Sequence, residues 1–125
     1  VSRRVIALAA LVDVAAILVF VAAGRRTHEE GTALASVLGV AAPFLVGLGT
    51  GWVVARAWRA PLALATGTAI WAVTVAGGLL LRRFAWDRST AASFAIVAAV
   101  ITGALFVGWR AAASTLVARR QRSAA

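Results

Sequence analysis

Val5-Ile6-Ala7-Leu8-Ala9-Ala10-Leu11-Val12-Asp13-Val14-Ala15-Ala16-Ile17-Leu18-Val19-Phe20-Val21-Ala22-Ala23 is an unbroken apolar run but for one acid near its middle. Its length is about that needed to cross a bilayer core, roughly 20 residues at ~1.5 Å rise each. The polar stretch Gly24-Arg25-Arg26-Thr27-His28-Glu29-Glu30 closes it, and three more apolar runs follow. This pattern predicts an all-α, polytopic membrane protein: four transmembrane helices in an antiparallel up-down bundle. The spans are expected over about 5–23, 32–55, 62–81 and 91–109, in one transmembrane domain with a basic tail over 110–125.

Composition agrees. Of the 125 residues 62% are hydrophobic and only 14% charged, and the mean hydropathy is +0.93. A soluble domain is usually ~25% charged. The charges that remain cluster at the ends of the apolar runs, as in multi-span membrane proteins. All thirteen basic residues are arginine, and the net charge is +9. Beside membrane spans they serve topology and contact with anionic lipid rather than nucleic acid. With both termini cytoplasmic that side holds eight arginines (Arg3, Arg4, Arg56, Arg59, Arg110, Arg119, Arg120, Arg122) against five opposite (Arg25, Arg26, Arg82, Arg83, Arg88). The bias predicts that orientation. The basic start and first run are read as a retained span rather than a signal segment, because Asp13 interrupts the run and no small-residue cleavage pattern follows it.

Cysteine is absent and His28 is the single histidine. The chain therefore lacks the ligands for a thiolate or multi-histidine metal site. No triad, zinc-protease helix, phosphate loop or dinucleotide fingerprint occurs. The expectation is a protein that is not an enzyme and carries no metal or cofactor.

The halves echo each other at an offset of 57 residues. Arg25-Arg26 fall on Arg82-Arg83 and Gly51-Trp52 on Gly108-Trp109; Ser36, Val40 and Leu48 fall on Ser93, Val97 and Leu105. Two tandem helical hairpins give this pattern; so does a general taste of helix ends for Arg and Trp. Small residues should carry the packing, since lipid offers little hydrophobic drive between helices. Gly47 and Gly51, Gly67, Gly77 and Gly78, and Ala99 and Gly103 are the candidate faces, for packing the four spans or for pairing two copies as a homodimer. Trp52, Trp58, Trp86 and Trp109 read as interfacial anchors. Trp71 lies mid-span, where its indole N–H needs a partner.

Asp13 is the first candidate site. An acid deep in a span costs about 2.5–3.5 kcal/mol on insertion scales and usually faces the bundle or a wet cavity. It reads as a proton- or cation-coupling group or as a structural hydrogen-bonding group. Pro43, at similar depth in the second span, frees the carbonyl of Gly39. With Trp71 and Thr102, and other inward hydroxyls such as Thr68 and Thr74, these residues suggest a composite coupling site of Asp13, Gly39, Pro43, Trp71 and Thr102. The plain alternative is a proline kink. A second candidate is Arg25, Arg26, His28, Arg82 and Arg83, a site for an anion, a lipid headgroup or a partner protein.

The motifs together resemble a known family. Asp13 in the first span, Gly24-Arg25-Arg26-Thr27-His28, Pro43-Phe44, Gly51-Trp52, the Arg56 to Pro61 loop, Arg82, Ser93-Phe94 and Gly108-Trp109-Arg110 resemble DUF3054, a family of uncharacterised prokaryotic membrane proteins. The resemblance covers about Val5 to Arg110 and implies a small four-helix integral membrane protein of the kind common in actinobacteria and salt-loving archaea, placed in the plasma membrane of a prokaryote. It brings no activity, substrate or cofactor. The layout is also similar to that of small multidrug-resistance transporters, dimers with an acid midway along the first span. Here the acid is Asp and not Glu, so this is analogy alone. Two functions follow as expectations: a small transporter or permease-like protein with its coupling acid at Asp13, or a membrane adaptor or lipid-interacting subunit whose arginines bind headgroups or a partner. No substrate is indicated.

Overall fold

The computed structural model describes residues 2–24, 33–85 and 92–124. They form four long helices and one short turn of 3-10 helix: α1 (Arg3–Gly24), α2 (Ala33–Ala55), the turn at Ala57–Arg59, α3 (Leu64–Phe84) and α4 (Ala92–Ala124). All four are long and apolar enough to cross a membrane, and no strand occurs among the described residues. The chain is a four-helix, multi-pass membrane protein.

Local chemistry sets the ends. Ser2 caps α1, its Oγ accepting from the Val5 N–H at 3.2 Å. Helix α2 stops at Arg56, whose φ of 51° and ψ of 52° put it in the left-handed region, the usual way for a helix to reverse. Helix α3 ends with Arg82 and Arg83 in its last turn, where cations complement the helix dipole. Helix α4 does not end at the predicted 109. It runs on to Ala124, so the expected basic tail is mostly helix. Ala111-Ala112-Ala113 offers no breaker, and a single arginine does not stop a helix made of good helix formers.

Each helix packs antiparallel on the next, and α4 returns beside α1. The register is visible in the contacts. Between α1 and α2, Asp13 meets Trp52 and Phe20 meets Phe44. Between α2 and α3, Gly51 lies on Ile70 and Gly47 on Thr74 and Gly78. Between α3 and α4, Gly67 lies against Arg110 and Trp71 against Gly103. Between α4 and α1, Arg110 meets Asp13 and Phe94 meets Phe20. The core gathers around Ile17, Phe20, Phe44, Ile70 and Phe106.

The helices are staggered. From the Asp13–Arg110 contact, α1 continues ten residues to Arg3 and α4 fourteen to Ala124, about 15 and 21 Å. Helix α2 ends three residues past Trp52, only about 5 Å further. At this end α1 and α4 therefore project as a pair beyond the α2–α3 turn. Asp13 is midway along its own helix but level with the end of α2.

The glycines divide into two groups. A Cβ on Gly47 would lie 2.8 Å from the Thr74 carbonyl oxygen and 3.1 Å from the Gly78 nitrogen, and one on Gly78 would overlap the Phe44 ring. These let the α2 and α3 backbones touch. Gly39, Gly49 and Gly108 face nothing within 4 Å. The small-residue faces of α2, α3 and α4 are thus used within the chain. Gly78→Ala should cost about 1–3 kcal/mol, the range for overpacking. Gly49→Ala should leave stability unchanged or raise it by the ~1 kcal/mol of helix propensity. Reversible unfolding in mixed detergent–SDS micelles measures both.

Candidate functional site: a buried ion pair between two tryptophans

Asp13 and Arg110 are both 0% exposed. The pair is forked. Arg110 Nη1 donates to Asp13 Oδ1 at 2.9 Å and Nη2 to Oδ2 at 2.8 Å. Two indoles complete the shell: Trp109 Nε1 donates to Oδ1 and Trp52 Nε1 to Oδ2, each at 2.9 Å. Each carboxylate oxygen thus accepts two N–H groups. None of the four can act as an acceptor, so the arrangement fits an ionised carboxylate.

The arginine is equally occupied. Its Nε donates to the Pro61 carbonyl at 2.8 Å, and Nη1 also reaches the Phe106 carbonyl at 3.2 Å. Its guanidinium carbon lies 4.5 Å from the Trp109 ring centroid, a cation–π contact. Gly67 makes room for its stem, since a Cβ there would sit 2.7 Å from Arg110 Cδ. One turn on, Ser114 Oγ donates to the Leu62 carbonyl at 3.2 Å. Helix α4 thereby holds both α1 and the α2–α3 turn. A buried pair repays its desolvation only when the geometry is good and the remaining hydrogen-bonding capacity is filled. Both conditions hold here.

The composite site foreseen around Asp13 is not gathered at one place. Trp71 Nε1 donates to the Ala99 carbonyl at 2.8 Å, which answers the mid-span indole but joins α3 to α4 without reaching Asp13. Thr102 donates to the Ala98 carbonyl of its own helix, and Thr68 likewise to Leu64. Pro43 is buried inside a continuous α2, and Gly39 lies on an open face. The acid's hydrogen bonds run to Arg110, Trp52 and Trp109. Thr74 Oγ1 is buried without a partner. Of the second candidate, Arg25, Arg26 and His28 lie outside the described residues. Arg82 sits over the Phe94 ring at 4.3 Å and Arg83 over Phe84 at 5.7 Å.

Three functional positions differ from the sequence reading. Trp52 and Trp109 are not simple interfacial anchors, because both indole N–H groups are spent on Asp13. Arg110 is not a topology-setting arginine at a helix end, and so drops out of the cytoplasmic count. A signal was present: a lone acid in a span calls for a named partner, and Gly51-Trp52 and Gly108-Trp109 both point to the same depth. Arg110 stands where the 57-residue offset would put the equivalent of Val53.

The model of a family described as a protein of unknown function (DUF3054) matches residues 10–113. The chain belongs to the DUF3054 family. The matched segment begins three residues before Asp13 and ends three after Arg110, so both halves of the ion pair lie inside it. No curated protein and no solved structure matches the chain. The family carries no assigned activity, and the reading of this DUF3054 protein rests on the site itself.

Breaking the pair should be severe. Asp13→Asn replaces one acceptor oxygen by an amide donor that faces donors, and Arg110→Gln strands a buried carboxylate. Each should cost about 3–5 kcal/mol. The D13N/R110Q double variant should lose clearly less than the sum of the two. Trp52→Phe and Trp109→Phe each unmake one hydrogen bond to the carboxylate and should cost about 1–3 kcal/mol. A double-mutant cycle in detergent–SDS unfolding reads all of these.

Proposed function

We propose that this DUF3054 protein is a non-enzymatic, non-transporting membrane subunit, an adaptor or lipid-interacting module in which Asp13 is a structural cross-link. One observation supports this above others: both oxygens of Asp13 are already filled by Arg110, Trp52 and Trp109. A coupling acid must exchange its proton or cation with the outside. This one has exchanged solvent for three fixed side chains. Its arginine also ties down the α2–α3 turn, which suits a clamp holding four helices in one arrangement. In a prokaryotic plasma membrane, the setting the family resemblance implies, the arginine bias supports both termini on the cytoplasmic side, even without Arg110 in the count.

A second reading, transport, has one observation in its favour. An apolar groove of about 370 Å³ lies between α1 and α2, lined by Ala10, Val14, Leu45, Leu48, Gly49 and Trp52. Trp52 is both its wall and a ligand of Asp13. A hydrophobic cation in this groove would touch the residue that shields the acid. In this reading the ion pair is a gate that must open.

The two readings part on proton release. Purified protein in weakly buffered detergent is titrated with hydrophobic cations at several pH values, wild type against D13N. The clamp predicts no cation-dependent proton release from either, with D13N distinguished only by lower stability. A release step in the wild type that is absent from a folded D13N protein would establish exchange at Asp13 and replace the clamp by the gate.

A further inference from the structure

Beyond the ion pair, α1 and α4 run on without α2 and α3. On α4, Ala113, Leu116 and Arg120 follow Trp109 at intervals of four, three and four residues, which keeps them on one helix face. Trp109 uses that face to reach Asp13 of α1. The same face therefore continues past the ion pair as an apolar strip ending in arginine. It forms an open groove of about 270 Å³ lined by Ala113, Leu116, Val117 and Arg120, with an almost wholly apolar wall. Leu116 is 60% and Val117 43% exposed.

Arg120 ends this groove, and further arginines gather at its level. Arg3 and Arg4 lie nine to ten residues before Asp13; Arg119 and Arg120 lie nine to ten after Arg110. Since α1 and α4 are antiparallel and in register at that pair, equal rise brings both arginine pairs to one level, roughly 15 Å further out. Arg122 lies one turn beyond. All five are exposed. The one acid among the described residues, Asp13, is buried and already paired. Two copies of this face meeting each other would bring ten arginines together with no acid among them, which argues against a second copy as the occupant.

We infer that the projecting ends of α1 and α4 form a binding site for an anionic phospholipid, with one acyl chain along the Ala113–Leu116–Val117 strip and the phosphate held by Arg119, Arg120 and the Arg3–Arg4 pair. Guanidinium groups suit a phosphate because their fork of N–H donors matches its oxygens. An apolar strip that runs straight into such a cluster has the two-part chemistry of a lipid and not of a free anion. The inference deepens the lipid-interacting part of the function above. It uses no property of Asp13, so a gate at Asp13 would leave it standing.

The test uses the full chain, delipidated in detergent and titrated with phosphatidylglycerol or with phosphatidylcholine of the same chains, the bound lipid being counted by native mass spectrometry. The wild type should hold phosphatidylglycerol at least tenfold more tightly. R119Q/R120Q should lose roughly thirtyfold of that affinity, given some 1 kcal/mol for each basic residue near an anionic headgroup. L116W, which fills the strip, should weaken binding of the lipid without changing the response to salt. These positions are exposed, so helicity and unfolding should match the wild type. R56Q/R59Q, at the recessed α2–α3 turn, should bind as the wild type does. Equal affinity for the two lipids would overturn the site, as would an equal loss in R56Q/R59Q, which would mean diffuse attraction. Displacement of the lipid by glycerol 3-phosphate at matching concentration, or a dimer that L116W dissolves, would overturn the occupant.

Discussion

A carboxylate and a guanidinium withdrawn from both water and lipid must satisfy each other, and much of this structure follows from that demand. Asp13 needs four donors and has them from three residues on two helices. Arg110 needs acceptors on more than one side and takes the carbonyls of Pro61 and Phe106 besides the acid. The cluster therefore joins all the elements of the bundle at one level: α1 through Asp13, α2 through Trp52, the α2–α3 turn through Pro61, α4 through Arg110 and Trp109. Helix α3 contributes by withdrawal, since Gly67 is where the arginine stem passes. An apolar substitute could be as stable or more so. What the pair adds is register, because a one-residue slip of α1 or α4 would strand a charge.

The rest of the bundle is held differently. Helices α2 and α3 touch through glycine, with Gly47 on Thr74 and Gly78 under Phe44. Where lipid removes the hydrophobic drive, such close approach is the available means of attraction. Lower in the bundle Phe20, Phe44 and Phe94 form a tilted trio, with ring centroids 5.8–6.2 Å apart, and Arg82 covers Phe94. The molecule thus has a polar clamp near one end, an aromatic cluster toward the other, and a glycine seam between α2 and α3. The clamp is specific and intolerant of slip; the seam is short-range and indifferent to chemistry.

Much of the fold was legible in the residues themselves. Apolar runs of membrane length separated by arginines permit few other readings, and the family motifs agreed. The site was legible by half. Asp13 announces itself because an acid in a span is costly. Its partner does not, because an arginine after Gly-Trp reads the same whether the helix stops there or continues. Only the run Ala111-Ala112-Ala113 hints that it continues. The tryptophans misled for a related reason: depth in the sequence of α2 is not depth in the bundle when α1 is staggered against it. The mid-span position of Trp71 shows that its N–H needs a partner, yet no pattern in the sequence selects the Ala99 carbonyl. That choice depends on Gly103 yielding space across the α3–α4 contact.

The 57-residue offset takes on a physical meaning at the clamp. It relates Trp52 to Trp109, and these two indoles bind the two oxygens of one carboxylate. Two hairpins placed around an axis would bring equivalent tryptophans to equivalent positions in this way. The same offset relates Asp13 to Ile70 and Val53 to Arg110. Ile70 is fully buried and Val53 is 66% exposed. The charges therefore have no counterpart at the offset positions. A second acid at the Ile70 position would have no guanidinium, since Val53 points away from the core, and a buried acid without a partner is what the bundle cannot accommodate. The asymmetry is what lets one arginine saturate one acid. Past its charged residue α4 reaches the α2–α3 turn with Ser114, and α4 and α1 then run on as the projecting pair of helices that α2 and α3 do not cover.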